Sequence, residues 1–451
     1  MIMEIVKIIL GLVGLVIVVF IHELGHFLAA RFVGIDVEAF SIGWGPPILK
    51  KNIGSVEYRL GVFPLGGYCK MRGDNEFQEA WEKHTSGVEP VKGTFYGASP
   101  WRRIVVCLAG PVFNLVFAVI VLSIIWGIGF ERQTLENRII LASEINAGNV
   151  FPADTAGFQT GDRIVEINGK ETNYYHEVQE AIAVNPERLL TVTVERQGEI
   201  MNLFVTPDLD RSTGMGRIGV YFWADPVIAD ISPDSDAAIA GLLPGDRIIN
   251  VNNDAINHIM DFDKTLDENS VVTIHYIRDG AERSARLENS QGDWSGLGIR
   301  WSTVQYRTPA LSPPAALVKG VSEGWKTFVT YLKGLSLLFR GIDLTQAVSG
   351  PLRITYMMGD VAAVGFGENI GTGLRSMAHF LSFISVALFV MNLLPIPLFD
   401  GGQIILFIVE ILRRKPLPPR AIGVFQTVGI VLVAGLLIFA LFGDILYFVS
   451  R

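Results

Sequence analysis

Two stretches of this 451-residue chain carry side chains whose types and spacing suit catalysis. The first is Val18–Arg31, which contains His22, Glu23 and His26 in the pattern His-Glu-x-x-His. Residues four apart share one face of a helix, so the two imidazoles can bind a single metal ion. Two imidazoles and a carboxylate form a common catalytic zinc set, with one position left for water. Glu23 then has the place of a general base acting on that water. The second stretch is Met391–Gly402, Met-Asn-Leu-Leu-Pro-Ile-Pro-Leu-Phe-Asp-Gly-Gly. In it Asp400 is an isolated carboxylate in apolar company: a candidate third ligand, or else the cap of a helix beginning near Gly402. The Asn392 side-chain amide can donate to a substrate backbone or an oxyanion. His379 is far in sequence from both stretches and is left out of the site.

The elements that must position these residues are membrane-length helices. His22 and His26 interrupt an apolar run that begins at Ile8. Ionisable groups inside such a run are costly, which favours a metal site over two histidines that merely satisfy their hydrogen bonds. Segments of about 20 apolar residues can span a bilayer. Four qualify: Ile5–Phe32, Ile104–Phe130, Ser376–Leu394 and Ala421–Phe442. Lys7 before the first apolar run suggests a signal peptide. No small-residue cleavage site follows it, so the segment reads as a retained span. The second span contains Ala109-Gly110-Pro111-Val112-Phe113-Asn114. Asn114 is a polar group at membrane depth that needs a partner, either near the metal site or across a helix pair; we group it with the substrate-facing candidates. After the third span, Pro395, Pro397 and the Gly401-Gly402 pair must break the helix. Backbone freed at that depth has to be buried in protein or line a polar cavity.

Half the residues are hydrophobic and the net charge is −8. That describes a membrane protein with room for soluble domains and argues against nucleic acid as a partner. Cys69 and Cys107 are the only cysteines, too few for a disulfide framework or a four-thiolate zinc site. The loop between the first two spans carries nine Lys and Arg, among them Lys50, Lys51, Arg102 and Arg103, and the loop before the fourth carries Arg413, Arg414, Lys415 and Arg420. By the positive-inside rule both loops are cytoplasmic, leaving both termini and residues 131–372 outside.

In the first loop, Val56–Leu60 and Gly61–Met71 read as short strands broken at Phe63-Pro64-Leu65-Gly66-Gly67-Tyr68, a hairpin or small sheet whose edge is able to pair with an extended peptide or simply be solvated. Gly73–Gly97 reads as polar and irregular. The outer segment contains a repeat: Ala156-Gly157…Gly161-Asp162-Arg163-Ile164 through Asn168 returns 84 residues later as Ala240-Gly241…Gly245-Asp246-Arg247-Ile248 through Asn252. Each copy reads as a short helix, a Gly-Asp turn and an alternating strand, similar to the bacterial form of PDZ domains. Asn253 replaces Gly169 in the second copy and is expected to take the same left-handed turn. Such a pair binds peptide ends by strand addition, or serves as a steric screen, or both. Pro313–Leu344 has helical periodicity punctuated by Lys319, Lys326, Lys333 and Arg340, suited to the outer membrane surface or to packing on the repeats. Ser349-Gly350-Pro351-Leu352 marks a helix start.

His22-Glu23-x-x-His26, Phe63-Pro64-Leu65-Gly66-Gly67-Tyr68, Gly110-Pro111-x-x-Asn114, the two repeats and Asn392-x-x-Pro395-x-Pro397-x-x-Asp400-Gly401 occur in that order. Together they resemble the site-2 protease family of intramembrane zinc metalloproteases over nearly the whole chain. The resemblance implies a polytopic α-helical membrane protein with four transmembrane helices, a cytoplasmic-side β-hairpin associated with the membrane, and two tandem PDZ domains. Domains are then expected at 1–33, 34–100 with the hairpin, 101–130, 131–222 and 223–308 as the PDZ pair, 309–372 as periplasmic amphipathic helices, 373–401, 402–420 as a cytoplasmic amphipathic segment, and 421–451. It implies one zinc ion on His22, His26 and Asp400, Glu23 as the catalytic carboxylate, and substrate contacts at Asn392, Pro397, Gly66, Gly67 and Tyr68. Phe399 replaces the family's usual Leu, and Cys69 a usual aliphatic residue. The implied location is the bacterial inner membrane with both termini and the PDZ pair periplasmic. The implied substrates are an anti-sigma factor already cut outside the membrane and remnant signal peptides, with the PDZ pair meeting substrate or a periplasmic regulator. The competing class is a membrane-anchored PDZ scaffold or chaperone whose metal site does no chemistry.

Overall fold

The computed structural model describes residues 2–83, 88, 91–146, 148–211, 213–266, 271–288, 297–337 and 350–449. The chain divides into two compact units, residues 1–130 with 309–451, and residues 131–308.

In the first unit, helix α1 covers Ile2–Phe32. Among the described residues, four helices are long and apolar enough to cross a membrane: α1, α3 at Pro100–Ile128, and those at Ile370–Asn392 and Pro419–Val449. The last runs on through Asp444, past the end of the expected span Ala421–Phe442. Asp444 is fully buried, and its carboxylate accepts the backbone N–H groups of Gly350, Leu352 and Arg353 at 2.8, 3.1 and 3.1 Å. It thereby caps the helix Pro351–Glu368, satisfying donors that have no partner within their own helix. That helix lies against α1 through Gly11, Gly14 and Gly359, where an added Cβ would meet Thr355 O, Met358 Sδ and Lys7 O. Val18, Met358, Ala362, Met377 and Leu381 form the core where these helices meet.

The expected hairpin is reorganised. Strand β1 is Val37–Ile53 and β2 is Val56–Met71, turning at Gly54. Ile53, Lys51 and Leu49 oppose Val56, Tyr58 and Leu60. The first part of β1 then lies between two stretches of β2: Phe40, Ser41 and Ile42 oppose Tyr58, Arg59 and Leu60 on one side and Cys69, Tyr68 and Gly67 on the other. Residues 56–60 and 61–71 are thus not each other's partners. The ladder belongs to residues 37–53, whose Gly43, Gly45, Pro46 and Pro47 hid them as a strand. Nor is the stretch after Gly73 all irregular. Asp74–Glu82 is helix α2, and its Phe77 packs with Leu417 and Ile422. A short apolar face is easily lost in so polar a sequence.

The helix Pro313–Leu337 packs within the first unit. It lies along α3, where a Cβ on Gly320 would meet Ser123 Oγ and Val119 O, and Tyr331 donates to Phe383 O at 3.1 Å. Residues 338–344 of the expected helix, and Ser349, lie outside the described residues.

The second unit contains two four-stranded antiparallel sheets of one design. The first orders Lys170–Glu171, Arg163–Ile167, Leu190–Arg196 and Glu199–Val205; the second orders Asp254–Ala255, Arg247–Val251, Val271–Arg278 and Ala281–Glu288. Each has its own apolar core, centred on Ile164 and Val192 or on Ile248 and Ile274. The repeated Gly-Asp turn has a structural purpose. Asp162 and Asp246, both buried, receive two bonds each from Arg196 (2.7 and 2.8 Å) and Arg278 (2.7 and 2.6 Å). They also accept the Gln159 and Leu243 N–H groups, closing the turn. At the next turn the expectation for Asn253 fails. Asn252, with φ 53°, takes the left-handed conformation, matching Asn168 at 51°, while Asn253 is not among the positive-φ residues. The Asn252 and Asn168 side chains accept the Thr273 and Thr191 N–H groups at 2.9 Å, which stabilises that conformation.

Candidate active site

His22 and His26 project from one face of α1, as their spacing requires. Their Nε2 atoms are 3.1 Å apart. The Asp400 carboxylate meets both, Oδ2 at 3.4 Å from His22 Nε2 and Oδ1 at 3.5 Å from His26 Nε2. One ligand atom from each residue lies within 4.8 Å of the others. Asp400 reaches this point because the third span stops at Asn392 and a new helix starts at Asp400, with Phe399 as its N-cap. Asp400 is thus the first residue of that helix and not its cap. The intervening turn is tight: Leu398 has φ 82°, a conformation costly for a branched residue. A Cβ on Gly401 would lie 2.3 Å from Leu393 O, and one on Gly402 2.2 Å from Ile396 O. Only glycine at both positions lets the turn fold back far enough to present Asp400.

The surroundings of the two imidazoles suit a metal. His26 Nδ1 is 2.9 Å from the Val106 carbonyl, so it carries the proton and leaves the Nε2 lone pair free. Asn114 is fully enclosed and sits 3.4 Å from His22 Nδ1 through its side-chain amide, while its Oδ1 has no partner. A half-turn of the amide lets Oδ1 accept a His22 Nδ1 proton. Both histidines then present bare Nε2 atoms beside one carboxylate, the donor set of a zinc site. Gly110 makes room for them, since a Cβ there would lie 2.3 Å from His26 Nε2 and 2.9 Å from His22 Cε1. Neither the Val106 carbonyl nor the service of Gly110 had a signal in the sequence beyond the Gly-Pro pair itself.

The remaining candidates divide. Gly67 reaches the site: its Cβ position would be 3.0 Å from Glu23 Cγ. The neighbouring Cys69 backbone hydrogen-bonds to Glu23. Trp44 lies across Gly66 and donates to Gly67 O at 3.2 Å. Tyr68 turns to Arg59, whose Nη1 donates to its hydroxyl at 2.9 Å. Asn392 and Pro397 bracket the turn that delivers Asp400; Pro397 packs against Gly429. Asn114 is enclosed, with its side-chain amide against His22.

A family description, Peptidase family M50, matches residues 10–436. The chain belongs to peptidase family M50, the site-2 proteases. Proteins named "Putative zinc metalloprotease" from Treponema pallidum and Borreliella burgdorferi are 37% and 31% identical, over 98% and 97% of this chain and 99% and 98% of theirs. The regulator of sigma E protease of Haemophilus influenzae is 28% identical over 96% of this chain and 97% of its own. This M50 peptidase is therefore a metalloprotease, and its family implies a zinc cofactor. His22, His26 and Asp400 are residues able to hold a metal. In such a site zinc supplies Lewis-acid polarisation of the scissile carbonyl and acidifies water.

Sequence reasoning missed the support of the Asp400 helix. Arg103 of α3 pairs with Glu410, both buried, and its guanidinium lies 4.5 Å from the Phe407 ring centroid. Glu410 also accepts Leu417 N–H at 2.9 Å. A lone carboxylate on an amphipathic helix facing an arginine at the mouth of a span was the available signal.

Proposed function

We propose that this protein hydrolyses peptide bonds within the membrane-spanning segment of single-pass proteins, using one zinc ion held by His22, His26 and Asp400. The observation that carries this reading is the meeting of His22 and His26, on an apolar, membrane-length helix, with Asp400, beside the β2 segment 66–71 that reaches Glu23. Glu23 takes a proton from the attacking water and later gives it to the leaving amine. A helical substrate hides its peptide bonds and must be unwound. The outer edge of residues 66–71, which lies against Glu23, is where an extended segment would pair and be held. Asn392 and the Pro397 turn complete the substrate cleft, with Gly66, Gly67 and Tyr68 on the facing strand.

The likeness to a regulator of sigma E protease supports an anti-sigma factor, trimmed outside the membrane by a first protease, as substrate; remnant signal peptides are a second class. The two sheet repeats act as PDZ domains that screen out untrimmed substrates or bind their ends. Lysine and arginine placement supports an inner-membrane protein with both termini and the repeats periplasmic. The test is to map the cut. Purified protein and a trimmed single-pass substrate are combined in detergent and the products weighed by mass spectrometry. Cleavage inside the apolar segment agrees with this reading; cleavage only in flanking loops refutes it.

A further inference from the structure

Alongside His22 and His26, α1 carries one more organised face. Phe20, Leu24, Phe27 and Arg31 follow at spacings of four, three and four, so they form a single stripe about 16 Å long at 1.5 Å per residue. The sheet presents Phe40, Ile42 and Leu60 to this stripe, and a slot of about 660 Å³ lies between. That volume is usual for a ligand site. The slot is open along one side, where Leu49 and Leu60 are exposed.

The charged lining residues are Lys50, Lys51 and Arg59, all on the sheet wall. Tyr58 opposes Lys51 in the ladder, and its ring centroid is 6.2 Å from that of Phe27. The Arg31 guanidinium lies 5.5 Å from the same Phe27 ring. Arg31, Lys50 and Lys51 have no ion-pair partner among the described residues, while the neighbouring Glu57 is engaged by Arg59 at 2.9 Å. Toward Phe20 the walls are apolar and run into the middle of a membrane-length helix.

We propose that this slot holds one acyl chain of an anionic phospholipid, its phosphate seated on Arg31 and Lys51. A channel with an apolar helix wall and cations on its sheet wall matches an amphiphile. A peptide in the same place would have to leave its backbone groups without partners, because the slot lies over the face of the sheet and not along its edge. The lipid would pack on Phe40, which sits between Tyr58 and Cys69 in the ladder, and so would brace the strand that faces Glu23.

The full-length protein is placed in nanodiscs of equal phosphatidylglycerol and phosphatidylcholine, released into mild detergent, and its retained lipids are counted by native mass spectrometry. We expect one phosphatidylglycerol per chain, favoured at least tenfold over phosphatidylcholine. Arg31→Gln with Lys51→Gln should abolish the preference, and Leu60→Trp should expel both lipids. Equal retention by the wild type, or an unchanged preference in the double variant, overturns the proposal. A photoactivatable phosphatidylglycerol tests the site without any variant. Adducts on residues 20–31 or 40–60 support it; adducts only elsewhere, or a substrate segment crosslinked there in place of lipid, overturn it.

Discussion

Asn114 shows how much a single buried amide contributes here. It is fully enclosed, and its side-chain amide lies 3.4 Å from a histidine ring nitrogen. Removing a group that orients a metal ligand costs about 10–100-fold in metal affinity. Asn114→Ala should therefore weaken zinc binding by that factor, measured by competition with a chromophoric chelator. Asp400→Ala, which removes a candidate ligand outright, should lose zinc far more completely. Equal zinc affinity in wild type and Asn114→Ala would show that the His22 contact does no orienting. At this scale the sequence was informative, because chemistry is local: His22 and His26 share a face by spacing alone, and Asp400 stood out as a charge among apolar neighbours. What it hid were partners with no side-chain signature, such as the Val106 carbonyl, and the direction Asn114 faces, which depends on how two helices pack.

The helix that begins at Asp400 is held at its other end by Arg103 and Glu410. Breaking a buried ion pair by removing one partner costs about 3–5 kcal/mol, since a charge is left stranded. Glu410→Ala should lower the thermal midpoint of the full chain in detergent accordingly, and Arg103→Met with Glu410→Leu should recover much of the loss. If the single variant melts like wild type, the pair does not anchor that helix. The spans were legible from length and hydropathy, and the 84-residue repeat from Gly-Asp turns that the Asp162 and Asp246 bonds explain. The sheet was not. Its register depends on residues 37–53, where glycines and prolines mask alternation, and on β1 lying between two parts of β2, a long-range choice that no local pattern encodes. The helix Pro313–Leu337 was legible from its periodicity, but its partner, α3, could not be chosen from its own residues.

For the whole molecule, the two compact units should respond to different conditions. Chelation acts on the unit that carries His22, His26 and Asp400: it should abolish proteolysis, and added zinc should restore it. Mild acid acts on residues 131–308. There burial against Trp223 holds the His258 imidazole below its ordinary value of about 6.5. The nearby charges Asp261 and Glu144 partly offset this, and Arg138 adds to it. With the folded value depressed, the unfolded state binds the proton first, so stability falls as pH drops below about 6.5 toward the folded value. Amide exchange across residues 256–266 should quicken over that window in wild type and not in His258→Gln. Exchange that does not change with pH would contradict the burial argument.

The most direct test of the account is cleavage of a single-pass substrate by wild type and Glu23→Gln in parallel, with zinc measured in both. The account predicts full zinc content in each and a loss of activity of about 10²–10⁴-fold in the variant, the usual contribution of a general base. Equal cleavage by two zinc-loaded proteins would contradict the assignment of Glu23 and with it the proposed use of the site.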